Sequence, residues 1–254
     1  MTESQVIAAD VGNTSINLAA RLGEQLTFHS IPIQGTAWPD HAVAWAESTH
    51  GNAPTVWRIA SVHPDASTKL SRALETQLPG SHIQHLTWRD VPMKACVDEP
   101  DRLGIDRLLS AYGASRFAPS PIIVIDAGSA ITVDWVCAEG EFHGGAILPG
   151  LQMQLRSLAS GTASLPPIEW ESTKIDRPGA NTQQAMLTGV LAGIAGGIDR
   201  LVRSYRDFAG HSIDEVRVVL TGGNGAAISP LLDHNHEQHC NLVCRAVLDL
   251  PRSK

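Results

Sequence analysis

Apolar residues alternate with polar ones in two similar stretches, one near the start of the chain and one in its middle. The predicted strands cover 5–10, 15–21 and 25–31 in the first stretch and 122–126, 130–136 and 141–147 in the second. Each group is typical of an antiparallel meander, and its first turn has the pattern Asp-x-Gly, at Asp10 and again at Asp126. The repetition predicts a duplicated fold.

The rest of the chain mixes helical and strand patterns. Helices are predicted over 37–49, 65–78, 104–117, 151–158 and 182–208, and further strands over 55–62, 82–86 and 216–220. Asn181 should cap the last helix, whose four glycines predict the close approach of another backbone: Gly189, Gly193, Gly196 and Gly197. The His-rich C-terminal stretch is weakly patterned and predicts a polar surface loop. The duplication suggests domains 1–117 and 118–254.

Composition narrows the classes of function. The 254 residues are 43% hydrophobic and 18% charged, as expected for a globular protein with a substantial core. A net charge of −7 argues against nucleic-acid binding, which needs a basic surface. No apolar run is long enough to predict a membrane span, and no signal peptide is visible. Four irregularly spaced cysteines imply no disulfide framework, so we expect a cytoplasmic location.

The turn after the first strand combines a carboxylate with small polar residues. Asp10 can hold magnesium, and Gly12 can take a positive φ that reverses the chain close to a ligand. The N–H groups of residues 12–14 and the side chains of Asn13 and Thr14 can face phosphate oxygens. The same residues also suit an ordinary hairpin turn. Repetition of the turn at Asp126 favours phosphate binding.

The segment Gly104-Ile105-Asp106-Arg107 enters a predicted helix, whose N-terminal end attracts anions. Asp106 can act as a general base toward a substrate hydroxyl, and Arg107 can pair with a carboxylate or phosphate. An acidic residue in the first helical turn is equally explained by the helix dipole.

The second Asp-x-Gly turn offers a cation site at Asp126 and a phosphate donor at Ser129. The alternative is a buried aspartate that caps the N–H groups of its own turn. A later segment, Thr221-Gly-Gly-Asn-Gly225, follows a buried strand and suits a base and ribose lying against backbone. The residues His234, His236, His239 and Cys240 lack standard zinc-ligand spacing.

These segments together resemble the type III pantothenate kinases, a family of the sugar kinase, heat-shock ATPase and actin superfamily. The resemblance runs from Ile7 to about Asn224, and its motifs stand in family order. They are Asp10–Thr14, Leu103–Arg107, Asp126–Ser129 with Thr132–Asp134, Gly144–Gly150, Gly161–Pro166, Asn181-Thr182 and Thr221–Gly223.

The resemblance implies an α/β fold of duplicated actin-like (ribonuclease H-like) lobes, each a mixed sheet with flanking helices. It implies a cytoplasmic homodimer that transfers the γ-phosphate of ATP to pantothenate, the first step toward coenzyme A, with magnesium and with potassium or ammonium. Asp106 would be the base and Asp126 the monovalent-cation ligand. ATP would be bound by Asp10, Val11, Gly12, Asn13, Thr14, Ser15, Ile16, Asn17 and Ser129. Pantothenate would be bound by Gly104, Ile105, Asp106, Arg107, Thr182 and Val97.

Three positions depart from the usual family pattern. Asn17 stands where a basic residue is common, Val97 where an aromatic residue is common, and Ser129 where threonine is usual. Asn17 and Val97 favour an alternative, a catalytically weak relative that serves as an accessory factor in gene regulation. A kinase of another small hydroxy acid is a third possibility. The residues Asp10, Asp106, Arg107 and Asp126 favour catalysis over the regulatory alternative.

Overall fold

The computed structural model describes residues 5–51, 54–170, 178–210 and 215–251. The loop expected over 160–180 includes residues 171–177, which lie outside the described residues. Contacts divide the chain into two compact units. The first unit contains the residues up to Lys94, then Asp98–Gly113 and the residues from Asn241 onward, and the second contains Ala95–Val97 and Ala114–Cys240.

A mixed five-stranded sheet forms the centre of the first unit. Its strands are β1 (Gln5–Val11), β2 (Ser15–Leu22), β3 (Gln25–Pro32), β4 (Thr55–Ser61) and β5 (His82–His85), in the spatial order β3-β2-β1-β4-β5. The first three strands form the predicted antiparallel meander, and β4 and β5 join parallel to β1. Four helices belong wholly or mostly to this unit: α1 (Trp38–His50), α2 (Pro64–Gln77), α3 (Ile105–Ser115) and α7 (Leu242–Asp249).

The second unit repeats this topology. Its strands are β6 (Ile122–Ala127), β7 (Ala130–Val136), β8 (Phe142–Pro149), β9 (Arg217–Thr221) and β10 (Glu237–Gln238), in the order β10-β9-β6-β7-β8. Its helices are α4 (Leu151–Gly161), α5 (Thr182–Ala209) and the short α6 (Gly225–Ile228). The meander β6-β7-β8 is antiparallel and β9 runs parallel to β6, as in the first unit. The predicted duplication is therefore confirmed.

One face of each sheet packs against two helices of its own unit. In the first unit Ile7, Ala9 and Val11 of β1 pack with α1 and α2. In the second unit Ile125 and Ala127 of β6 pack with α4 and α5. Because side chains alternate along a strand, Asp10 and Asp126 both lie on the opposite face of their sheet.

Two C-terminal features differ from the sequence-based expectation. The stretch predicted as a loop contains α7, which buries Leu242, Cys244 and Val247 and groups with the first unit, whereas the sequence suggested domain 118–254. The side chain of His234 is only 8% exposed rather than on a polar surface, and its Nδ1 lies 2.7 Å from a carboxylate oxygen of Asp199. Burial lowers the pKa of His234 more than the neighbouring carboxylate raises it.

The long helix α5 begins as predicted, because the side chain of Asn181 accepts a hydrogen bond from the Gln184 N–H at 2.9 Å. Its glycines do not meet another backbone in the described residues. A Cβ at Gly189, Gly193 or Gly196 would meet nothing within 4 Å, and one at Gly197 would meet only the Leu148 side chain. The expected close backbone approach is thus wrong for the described chain.

By length and composition α5 would pass as a membrane span, the one such helix among the described residues. Its apolar face is buried in protein, because Val190, Ile194, Ile198 and Val202 belong to the hydrophobic core of the second unit. Core helices of this length satisfy the same test.

Candidate active site

A row of polar side chains crosses the meander of the first unit. Asp10 on β1 is paired with Asn17 on β2, and Asn17 with Ser30 on β3. The Ser30 hydroxyl donates to Asn17 Oδ1 at 2.8 Å, and Asn17 Nδ2 donates to Asp10 Oδ2 at 3.2 Å. Asn17, where the family often has a basic residue, therefore orients the Asp10 carboxylate without neutralising its charge.

Helix α7 packs against β1 and β2 beside the Asp10 and Asn17 part of this row. Cys244 is a residue of α7, and its thiol donates to the Asn17 carbonyl oxygen at 3.3 Å. Burial, and next the charge of Asp10, raise the pKa of Cys244 well above its ordinary value. The thiol therefore stays protonated beside the carboxylate. Ser30 and Cys244 were missed by sequence reasoning, although the register of the hairpin was enough to place Ser30 beside Asn17.

The turn between β1 and β2 is tighter than the sequence suggested. Gly12 is not among the glycines with positive φ, and its N–H donates to the Ser15 carbonyl oxygen at 3.0 Å. The expectation of a positive φ and of a phosphate-facing N–H at Gly12 is thus wrong. A Cβ at Gly12 would lie 3.2 Å from that same oxygen, so a side chain there would require a small shift of the turn. Asn13 and Thr14 are exposed at the tip, whereas Val11 and Ile16 are fully buried.

Asp106 lies in the first turn of α3, beside Gly104. Its Oδ1 accepts a hydrogen bond from the Arg107 N–H at 2.8 Å. A Cβ at Gly104 would lie 2.6 Å from Oδ1, so glycine is needed for the carboxylate to fold back against the backbone. Ile105 is buried and anchors the turn. Burial raises the pKa of Asp106, and the Arg107 N–H and charge oppose that rise only in part.

The second Asp-x-Gly turn lies between two glycines of the second unit. A Cβ at Gly222, whose φ is +92°, would come 2.5 Å from Ala127 backbone atoms, and one at Gly150 would meet the Ser129 carbonyl group. The Asn224 side chain donates to the Gly128 carbonyl oxygen at 3.2 Å. Asp126 and Ser129 are half-buried in this packed turn.

The two remaining predicted substrate residues also lie in the second unit. Val97 is half-buried, and its Cγ1 lies 3.4 Å from where a Cβ on Gly144 would stand. Thr182 is exposed in the first turn of α5. The structure thus groups Asp10 with Asn17, Asp106 with Gly104 and Arg107, and Asp126 with Ser129.

Two sheets of identical strand order, each with an aspartate at the end of its central strand, define a duplicated actin-like fold. Among solved structures, a Campylobacter jejuni protein assigned to the Baf family of transcriptional activators has this fold, with a TM-score of 0.57, 20% identity and 96% of each chain covered. That likeness concerns the fold alone.

Sequence comparison identifies the family. The family model described as type III pantothenate kinase matches residues 6–204. The type III pantothenate kinase of Rhodopirellula baltica is 43% identical over 202 residues, 76% of this chain and 71% of that protein. The one from Thermus thermophilus is 32% identical over 234 residues, 89% of this chain and 90% of that protein. The chain belongs to the type III pantothenate kinase family, a family of phosphotransferases, so the resemblance seen in its motifs is confirmed.

Proposed function

We propose that the chain transfers the γ-phosphoryl group of ATP to the 4′-hydroxyl of pantothenate, the first step of coenzyme A synthesis. The observation that carries this proposal is Asp106, a carboxylate withdrawn from solvent at a helix start within the matched family region. Phosphoryl transfer needs positioned groups and charge stabilisation more than covalent chemistry. The chain supplies such groups at three places.

Asp106 acts as the base. The Arg107 N–H fixes its Oδ1, which leaves Oδ2 to accept the proton of the pantothenate hydroxyl as the new O–P bond forms. Because burial raises the pKa of Asp106, its carboxylate is a stronger base than an exposed one. Gly104, Ile105 and Arg107 form further substrate contacts in the same turn, and Val97 and Thr182 are the pantothenate contacts proposed for the second unit.

The segment 10–17 binds the phosphates of ATP. Asp10 has the oxygen chemistry that magnesium prefers, and the Asn17 side chain that donates to it carries no charge. The exposed tip residues Asn13 and Thr14 offer donors to phosphate oxygens, while the buried residues beside them, Val11 and Ile16, hold the turn in place. Ser15 closes the turn through its carbonyl oxygen.

Asp126 holds the monovalent cation, and Ser129 contacts ATP with the hydroxyl that threonine supplies elsewhere in the family. The donor set fits, because a half-buried carboxylate lies in a turn whose backbone is held by Gly150, Gly222 and Asn224. When bound, magnesium and the monovalent cation supply positive charge that offsets the charge of the reacting phosphates.

The proposal includes a homodimer in the cytoplasm. Apolar side chains of the second unit support a partner surface, since Ile147 is 63% exposed and Met153 49% exposed. A second copy of the chain is the proposed occupant, and light scattering after size exclusion should give twice the mass of the chain. A monomer at micromolar concentration would contradict it.

The test is release of ADP from ATP and magnesium, with and without pantothenate, in potassium buffer and in sodium buffer. We expect release that depends on pantothenate and is faster in potassium. The alternative, a regulatory member of the family, is favoured by Asn17 and Val97. It predicts a folded chain that releases no ADP in response to pantothenate in either salt.

A further inference from the structure

A second set of reactive side chains lies at the edge of the second unit. Residue Ala95 forms a parallel bridge with Phe142, and the Cys96 N–H donates to the Phe142 carbonyl oxygen at 2.7 Å. Phe142 is fully buried, and side chains alternate along a strand. Glu141 and His143 therefore share the opposite face, and Cys96, which follows Ala95, is on that face as well.

The donor atoms of these three residues are close to one another. The Cys96 thiol donates to Glu141 Oε2 at 3.2 Å, and His143 Nε2 lies 3.6 Å from the same oxygen. All three donor atoms lie within 4.8 Å of one another. Donors around a tetrahedral zinc ion are about 3.3–3.8 Å apart, given metal–ligand bonds of about 2.0–2.3 Å. A metal ion fits between them after small side-chain adjustments.

We propose that Cys96, Glu141 and His143 bind one zinc ion, or another divalent transition-metal ion with the same preferences. A thiolate and an imidazole are poor ligands for magnesium and calcium, and a carboxylate disfavours copper(I). Binding forms a sulfur–zinc bond and releases the Cys96 thiol proton to solvent. Three protein ligands leave the fourth position to water.

The site has a structural consequence that the hydrogen bonds alone do not supply. Residues 95–97 group with the second unit, whereas Lys94 before them and Asp98 after them group with the first. Strand β8 is an edge strand of its sheet, and this short segment joins its edge. A metal ion bound to Cys96 therefore holds residues 95–97 against β8. It also restrains Val97, which follows Cys96 directly in the sequence. The site itself contains none of the residues assigned to ATP or pantothenate.

The set is the one group of three potential ligands that the described residues bring together. The sequence alone had suggested only the C-terminal histidines and Cys240 as potential metal ligands, because these residues are near one another in sequence. His234 there is held by Asp199, and His236 Nε2 lies 2.7 Å from the Ser229 hydroxyl. The new site escaped notice because Cys96 joins Glu141 and His143 only through the bridge between residues 95 and 142.

The experiment is a zinc titration of the metal-free full-length chain in competition with a chromogenic chelator. We expect one zinc per chain. Cys96→Ser and His143→Asn should each weaken zinc binding by at least about 100-fold. Loss of a residue that only hydrogen-bonds to a metal ligand already costs up to about 100-fold in metal affinity, and loss of a ligand should cost at least as much. The matched control is Cys240→Ser, which removes an exposed cysteine elsewhere and should leave affinity unchanged.

Two results would overturn the site: no stoichiometric zinc in the wild-type chain, or unchanged affinity in both ligand variants. Circular dichroism checks that each variant is folded. If Cys96→Ser fails to fold, the exposed residue His143 decides the question through its own variant. As a further readout, zinc should protect Cys96 from alkylation and leave Cys240 reactive. Equal reactivity of Cys96 with and without zinc would contradict the proposal. None of these measurements requires kinase activity.

Discussion

Asp106 is the residue on which the proposed chemistry most depends. Asp106→Asn should lower turnover with pantothenate by at least about 100-fold, as expected for loss of a positioned base. Its stability should be preserved, because the amide oxygen can still accept the Arg107 N–H and a neutral group suits a buried position. Steady-state kinetics and urea unfolding of the same preparation separate the two effects. Turnover near that of the wild type would remove Asp106 from the mechanism.

The acid side of the pH profile gives a second test at this residue. Because burial raises the pKa of Asp106, the carboxyl group is protonated, and unable to accept a proton, at pH values where an exposed aspartate is still ionised. We expect kcat/KM to fall as the pH is lowered, with an apparent pKa above the ordinary aspartate value. Protonation does not disfavour the fold at Asp106, so far-ultraviolet circular dichroism should be constant across this limb. A limb at or below the ordinary value would contradict the assignment.

Asp126 is predicted to make the reaction potassium-dependent. Asp126→Ala should reduce the ratio of rates in potassium and sodium to about one, since the carboxylate that would hold the cation is gone. The matched control is Ser129→Ala in the same turn, which should raise the KM for ATP and keep the potassium dependence. A potassium-to-sodium ratio that Asp126→Ala leaves unchanged would place the cation elsewhere.

At the scale of elements, β4 and α7 are joined by a buried arginine. Arg58 is 4% exposed and donates to the carbonyl oxygens of Val247, Leu250 and Pro251, at 3.2, 2.8 and 2.9 Å. The Leu250 and Pro251 carbonyl groups lie just beyond the end of α7, and the Val247 carbonyl group, which also accepts the Leu250 N–H at 3.4 Å, lies in its last turn. Arg58→Met should therefore lower the free energy of unfolding by about 3 kcal/mol.

Arg21 provides a matched control for that variant. It also contacts α7, through Asp249 at 3.1 Å, but both side chains are well exposed. Arg21→Met should cost less than about 1 kcal/mol in a urea unfolding experiment. Equal losses in the two variants would mean that Arg58 does not stabilise the end of α7.

The sequence predicted most elements because their patterns are local. The meanders β1-β2-β3 and β6-β7-β8 follow from strand periodicity and turn residues, and the start of α5 follows from its Asn181 cap. Helix α7 was not predicted because it is short, and its N-cap Asn241 has φ +58° and no capping side-chain hydrogen bond. A helix of this length depends on tertiary contacts, here with β1, β2 and Arg58.

In the candidate site, too, the local motifs could be predicted from the sequence and the partners from distant segments could not. Motifs contiguous in sequence, such as Gly104–Arg107, were found from the sequence and lie at the predicted helix start. Partners from distant segments, such as Ser30 and Cys244 around Asn17, became visible only in the folded chain. The conformation of Gly12 was also wrong, because its N–H closes the hairpin and that hydrogen bond depends on the turn actually adopted.

At the scale of the whole molecule, duplication supplies two equivalent aspartates and then differentiates them. Asp10 belongs to a polar row with Asn17 and Ser30, whereas the corresponding row at Asp126 contains Thr132 and then Ile147. Asp10 and Asp126 occupy equivalent positions in the two sheets, but their different neighbours give them different electrostatic surroundings. This asymmetry supports separate roles, magnesium and phosphates at the first aspartate and a monovalent cation at the second.

The proposed reaction transfers a phosphoryl group from ATP to one hydroxyl of pantothenate. Mass spectrometry and phosphorus NMR of the product mixture, made with ATP, magnesium and potassium, test it most directly. We expect pantothenate carrying one phosphoryl group on its 4′-oxygen, formed in equal amount with ADP and not formed by Asp106→Asn. Unmodified pantothenate, with ATP either untouched or hydrolysed to ADP and inorganic phosphate, would contradict it.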